Sequence, residues 1–232
     1  MRLSSILYPL RCPICDGVID PVHPAICPDC RRRIRYCTEP RCVRCGKMIP
    51  SDRDMLCDDC EKTVHVFVQG RAAWVYTGAA KESVLRYKFA NRRMYAPFYA
   101  QEMMRSMGGW LLTRGADALI PVPMTEKKRR ARGYNQALLL AQPLSAYLKV
   151  PVREDLLMRR EGFRQQKELS RQMRKVNLQR AFYTVPADEV PRTVILIDDI
   201  YTTGSTLDAA AMRLKEAGVV TIYTACLCVG ES

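Results

Sequence analysis

The chain has 232 residues, 48% of them hydrophobic, and a formal net charge of +13. That length suits one domain of ordinary size plus a small module. No apolar run approaches the ~18 residues of a membrane helix, and the start of the chain, with Arg2 and a short apolar run to Leu10, shows no small-residue cleavage site, so the expectation is a cytoplasmic protein without membrane insertion.

Nine of the eleven cysteines precede residue 61. Eight form a ladder, Cys12-x2-Cys15, Cys27-x2-Cys30, Cys42-x2-Cys45 and Cys57-x2-Cys60, with eleven residues between successive knuckles. Two such knuckles place four thiolates around one tetrahedral Zn²⁺, so eight ligands make two sites. Both are closed, which points to structural zinc. A disulfide framework would need an oxidising compartment, of which the sequence gives no sign. Sequential pairing, Cys12/Cys15/Cys27/Cys30 and Cys42/Cys45/Cys57/Cys60, fits the internal repeat best. Equal spacing leaves open a crossed pairing of knuckles one with three and two with four. Zinc also accounts for how residues 1–66, poor in large apolar side chains, can fold as a module. Cys37 lies between the units and reads as a spare thiol. His23 reads as a loop residue, with a substitute-ligand role as the alternative.

Residues 67–232 read as a second unit of α/β type. Strands are expected at 72–76, 117–123, 193–197 and 219–229. Helices are expected over 79–107, with Pro97 marking a break or a new start, over 134–150 with Pro143 as an irregularity, and over about 206–217, capped by Gly218. Alternating strands and helices indicate a parallel sheet flanked by helices. Cys226 and Cys228, two apart in a β-patterned run, are expected on one strand face in the core.

The stretch "VILIDDIYTTGST" (194–206) carries the chemistry. Ligands of open α/β sheets bind beyond the carboxyl ends of the strands, where Asp198 and Asp199 fall. The turn after them opens a helix whose free amides attract phosphate. Thr202, Thr203, Ser205 and Thr206 add hydroxyl donors, and Gly204 lets the backbone come close. Carboxylates that accept from sugar hydroxyls, beside a loop that holds a 5′-phosphate, suit a sugar phosphate. The plainer reading, a strand, a capped helix and solvated aspartates, fits each element alone but leaves their contiguity unexplained. Neither G-x-x-x-x-G-K-[ST] nor G-x-G-x-x-G occurs, so neither a P-loop ATPase nor a dinucleotide fingerprint is supported.

This stretch resembles the phosphoribosyl pyrophosphate motif of type I phosphoribosyltransferases. "IPVPMTEKKRRARGYNQA" (120–137), "RQQKELSRQMRKVNLQRAF" (164–182) and the cysteine ladder resemble one branch of them, the ComF competence proteins. The resemblance implies a type I phosphoribosyltransferase-like sheet preceded by a double zinc ribbon. It implies that Asp198 and Asp199 contact ribose and that Thr202, Thr203, Gly204, Ser205 and Thr206 hold the 5′-phosphate, with Mg²⁺ on the pyrophosphate. It places "EKKRRARGYNQ" where a hood covers the ligand. It further implies a link to uptake of transforming single-stranded DNA, with a competence helicase as a partner, while a genuine phosphoribosyltransferase of nucleotide salvage remains the alternative. His23 and His65 are the only histidines and both precede the α/β unit, so no nucleophilic triad can be built. Phosphoribosyl transfer needs none, because positioning and charge stabilisation suffice.

The charge is uneven. Residues 121–180 hold 15 Lys+Arg against 5 Asp+Glu, and residues 181–232 hold 3 against 7. Such an excess implies an anionic partner. Lys127, Lys128, Arg129, Arg130 and Arg132 lead it, and Arg159, Arg160, Arg164, Lys167, Arg171, Arg174, Lys175 and Arg180 follow. One reading is a groove for single-stranded nucleic acid with Tyr134 or Phe163 as stacking platforms. The others are pyrophosphate binding by the first cluster and a solvated basic face.

Overall fold

The computed structural model describes residues 10–19, 26–162 and 180–231. Strands β1 (Gln69–Val75), β2 (Ala118–Pro121), β3 (Leu157–Arg159), β4 (Phe182–Thr184), β5 (Thr193–Tyr201) and β6 (Thr221–Val229) follow one another along the chain. Four of them form a parallel sheet in the order β1-β6-β5-β2, and β3 and β4 pair separately as an antiparallel ribbon. The helices are α1 (Pro28–Arg32), α2 (Asp58–Lys62), α3 (Gly78–Phe89), α4 (Ala96–Leu112), α5 (Glu126–Arg132), α6 (Gln136–Leu148) and α7 (Ser205–Glu216). Pro97 opens α4, where its missing N–H costs nothing. Among the described residues no helix is long and apolar enough to cross a membrane.

The aliphatic run of β5 is buried on both faces, as a parallel sheet requires. Ile195 and Ile197 pack with Tyr87, Tyr99 and Leu140 from α3, α4 and α6. Val194 and Leu196 pack with Leu207, Ala210 and Leu214 of α7. This strand outlasts its apolar run, because β6 continues beside it and pairs Asp198 with Cys226, Ile200 with Cys228 and Tyr201 with Val229. Near this end the in–out alternation slips by one residue. Ala73 and Trp74, and likewise Leu227 and Cys228, fall in the same cluster in succession, while the pairing register of the three strands stays unchanged. Cys226 and Cys228 are both buried, but the slip sends them to opposite sides of the sheet rather than to one face.

The cysteine-rich segment straddles the outer edge of β1. Cys12, Ile14 and Cys30 join the α3/α4/α6 side, and Cys42, Cys45, Cys57 and Cys60 join the α7 side. Between them Tyr36 bridges Trp74, while the Val75 and Cys37 amides donate to the Arg35 and Ala73 carbonyls at 2.8 and 3.0 Å. Further along, the Gly70 amide donates to Arg44 at 2.7 Å. A Cβ on Gly46 would sit 2.7 Å from the Gly70 carbonyl oxygen, so that approach needs glycine. The β1 edge is therefore paired and cannot template association with another chain. Asp16 pins the first ribbon by accepting from Arg92 at 2.6 Å and from Tyr95.

Candidate functional site

The sulfurs of Cys12, Cys15, Cys27 and Cys30 lie within 4.8 Å of one another, as do those of Cys42, Cys45, Cys57 and Cys60. The chain thus gathers successive knuckles, and the crossed pairing does not occur. Helices α1 and α2 start immediately after Cys27 and Cys57 and carry Cys30 and Cys60 back toward the first pair. Amides of Gly17 and Cys45 approach the Cys15 and Cys42 sulfurs at 3.4 and 3.5 Å. Four thiols with amide donors fit tetrahedral Zn²⁺. Cys37 belongs to neither cluster, and burial pushes its thiol up to about 11, so it is an inert core residue. His23 lies outside the described residues.

At the other end of the fold, β5 delivers Asp198 and Asp199 to opposite faces. Asp199 is buried on the α3 side, where the Lys88 ammonium sits 2.8 Å from its carboxylate. Asp198 faces the α7 side and accepts from the Asp199 amide at 2.8 Å. Burial pushes the Asp198 carboxyl up to about 7, the Asp199 charge adds to this, and Lys88 and Arg159 pull the other way. A carboxyl so poised titrates near neutrality.

Beyond Tyr201 the chain turns through Thr202, Thr203 and Gly204 into α7. Thr202, Thr203 and Ser205 are exposed, Thr206 is half-buried and Gly204 is buried. The Thr203 and Ser205 hydroxyls lie 2.9 Å apart. Gly204 has φ +77° and serves as the N-cap, and no side chain closes the helix start. The leading amides of α7 are thus presented to an anion together with exposed hydroxyls.

Below the turn lies a correction to the sequence reading. His65 is not outside the α/β unit but buried within it, with Nδ1 2.7 Å from an Asp208 oxygen of α7. The Val66 amide donates to the other Asp208 oxygen at 2.8 Å. A carboxylate in the first turn of α7 is thereby held inward, leaving the outer face of the helix start free for an anion.

The basic helix α5 divides. Arg129 and Arg130 pair with Glu126 at 3.1 and 3.4 Å and remain exposed, and the Lys127 amide donates to Glu161 at 2.7 Å. Lys128 instead shares a neighbourhood with Arg159, Arg132 and Lys88. It is exposed like Arg129 and Arg130, yet partial desolvation and these three charges together hold its ammonium below the usual lysine range. Arg132 also lies over the Phe89 ring, 4.9 Å from its centroid. Lys88 pairs with Asp199, Lys88 and Arg159 lie within electrostatic reach of Asp198, and Lys128 lies within electrostatic reach of Lys88, Arg132 and Arg159. Tyr134 cannot stack bases, because its ring is buried and its hydroxyl donates to the Tyr87 carbonyl. Phe163 and the basic residues Arg164 to Lys175 lie outside the described residues.

Residues 3–61 match the double zinc ribbon domain, and residues 135–232 match the phosphoribosyl transferase domain. Competence protein F of Haemophilus influenzae is 30% identical over 217 residues, 91% of this chain and 93% of that protein. The chain belongs to the ComF family. DNA utilization protein YhgH of Escherichia coli K12 is similar at 28% over 96% of this chain and 98% of its own length. Competence protein ComFC of Bacillus subtilis is 28% identical, covering 83% and 79% respectively.

In this ComF chain three contributors to the site escaped the sequence reading. Lys88 sits in a helix whose pattern says only that it is helical. His65 and Asp208 are 143 residues apart, and no local spacing encodes such a contact. A lysine near a helix end that faces the carboxyl ends of the strands was the one available signal.

Proposed function

We propose that the carboxyl end of β5 binds a phosphoribosyl pyrophosphate type ligand with Mg²⁺, in a protein that serves DNA uptake and use. The observation that carries this reading is a pair of acids at the end of β5, one of them paired with a lysine, followed at once by an uncapped, hydroxyl-lined helix start. Lys88 pairs with Asp199, Arg159 lies within electrostatic reach of Asp198, and Lys128 lies within electrostatic reach of both cations. A 5′-phosphate in the turn leaves the ribose hydroxyls beside Asp198 and Asp199 and the pyrophosphate beneath the cations, where Mg²⁺ would share its charge. The names of the relatives, competence and DNA utilization proteins, support the cellular role.

Calorimetric titration of phosphoribosyl pyrophosphate with Mg²⁺ tests the ligand. Asp198→Asn is the cleaner variant, since Asp199 also carries Lys88. Losing a charged acceptor costs about 1.5–3 kcal/mol, and unchanged affinity would refute the assignment. Pyrophosphate release over a panel of bases separates a genuine phosphoribosyltransferase from a protein that only binds the ligand.

A second reading, single-stranded DNA binding, is favoured by a cleft of about 420 Å³ whose lining of Arg160, Arg180, Phe182, Tyr183, Thr184, Arg213 and Glu216 holds three arginines against one acid. Arg160 stacks on the partly exposed Tyr183 ring with its guanidinium 5.1 Å from the centroid. An arginine beside an aromatic face is the ordinary platform for unpaired bases. Tyr183→Ala weakens binding of oligonucleotides if the cleft serves that role, and leaves it unchanged if it does not.

A further inference from the structure

The two zinc sites are not equivalent with respect to the phosphate turn. The second ribbon packs on the α7 side in one cluster with Tyr201 and Leu207. Tyr201 ends β5, and its ring is buried in that cluster together with Cys45, Cys57 and Cys60. Its hydroxyl lies 3.3 Å from His65 Nε2. The other nitrogen of that ring holds Asp208 at 2.7 Å, and Phe67 stacks on its face with centroids 4.7 Å apart. Gly204 closes the circuit. A Cβ built there would lie 2.7 Å from the Tyr201 hydroxyl and 2.8 Å from His65 Cε1. The Thr202–Thr206 turn thus rests directly on two side chains, one packed in the cluster that holds the second set of cysteines and the other five residues past Cys60. The first ribbon makes its contacts with α3, through Ser83 and Arg86, and with the turn before α4, through Arg92 and Tyr95.

We propose that Tyr201 and His65 are positioning residues that couple metal occupancy of the second four-thiol site to the geometry of the Thr202–Thr206 turn, while the first site leaves that turn unaffected. A bound zinc would hold its four cysteines in one tetrahedral arrangement, and a close-packed interior transmits such a constraint to the side chains that touch it. Fixed cysteines would hold the Tyr201 ring packed among them, the phenol and Phe67 hold the imidazole, and together they form the floor on which Gly204 sits. The coupling goes beyond the ligand reading, because it concerns the shape of the turn whatever anion the turn accepts. Linkage also makes it reciprocal: what disturbs the turn must loosen the metal.

The test uses the full chain in both directions. Hydrogen exchange of the amides of residues 202–206 is compared in Cys57→Ser, which empties the second site, and in Cys15→Ser, which empties the first. Exchange rises at least about fivefold in Cys57→Ser, the lower end of ordinary coupling, and stays at the wild-type rate in Cys15→Ser. Tyr201→Phe keeps the ring and both zinc ions, and it raises exchange at the same amides. In the reverse direction, Gly204→Ala is made in the Cys15→Ser chain, where the second zinc alone remains, and in the Cys57→Ser chain, where the first alone remains. A chelator extracts zinc faster from the former and at an unaltered rate from the latter. Equal exchange in the two cysteine variants, or a Tyr201→Phe chain indistinguishable from wild type, would overturn the coupling. So would Gly204→Ala leaving release from the second site unchanged.

Discussion

Replacing Lys88 with methionine removes the cation from a pair that is nearly sealed from solvent. The two side chains are 17% and 10% exposed, and the ammonium lies 2.8 Å from the carboxylate. Methionine keeps most of the stem, so packing between α3 and β5 is largely retained and the charge is the main loss. Breaking such a pair by deleting one partner costs about 3–5 kcal/mol, because the remaining charge stays buried without compensation. An exposed pair would lose only about 0–1 kcal/mol. The assay is urea unfolding at pH 8, and the slope checks that the unfolded state is unchanged. Adding Asp199→Asn should recover most of the deficit, since a neutral amide beside methionine leaves no unpaired charge. A Lys88→Met chain within about 1 kcal/mol of wild type would refute the reasoning, and so would a double variant less stable than the single one.

Asp198, raised to about 7, gives a pH signature. An acid whose folded value exceeds its unfolded one costs nothing below about pH 4 and costs progressively more as pH rises through 7, so Asp198→Asn raises the unfolding midpoint at pH 8 and not at pH 4. Phosphoribosyl pyrophosphate, which needs the ionised carboxylate, should bind about tenfold more weakly at pH 6 than at pH 8, and Asp198→Asn should flatten that dependence. Elemental analysis should return two zinc ions per chain, and Cys12→Ser or Cys42→Ser should each lose one. Replacing Lys127, Lys128, Arg129 and Arg130 with alanine should reduce the salt dependence of oligonucleotide binding, by about 0.7 in log–log slope for every phosphate that is no longer neutralised. An unchanged slope would assign the helix to the pyrophosphate alone.

The cysteine ladder and the "VILIDDIYTTGST" run were legible because their chemistry is local. Four thiols at fixed spacing, or a strand that runs into a hydroxyl-rich turn, declare themselves within a few residues. What stayed hidden depends on tertiary contact. Nothing near "YKF" marks Lys88 as the partner of Asp199, and nothing near "TVHVF" places His65 beneath Gly204. The division of labour in α5 was likewise invisible, since Lys128 and Arg129 are neighbours in sequence, yet Arg129 pairs with Glu126 while Lys128 lies within reach of the charges of Lys88, Arg132 and Arg159. Cys226 and Cys228 show the limit of period-two reasoning, because a one-residue slip across β1, β5 and β6 sends them to opposite faces.

The central claim is that a phosphoribosyl ligand sits across the carboxyl end of β5. Diffraction from crystals grown with phosphoribosyl pyrophosphate and Mg²⁺ measures this directly. The account predicts density for the 5′-phosphate within hydrogen-bond reach of the Thr202–Thr206 turn, for the ribose hydroxyls at Asp198 and Asp199, and for the pyrophosphate beneath Lys88 and Lys128. Density for the ligand elsewhere, with this strand end holding only solvent, would contradict it.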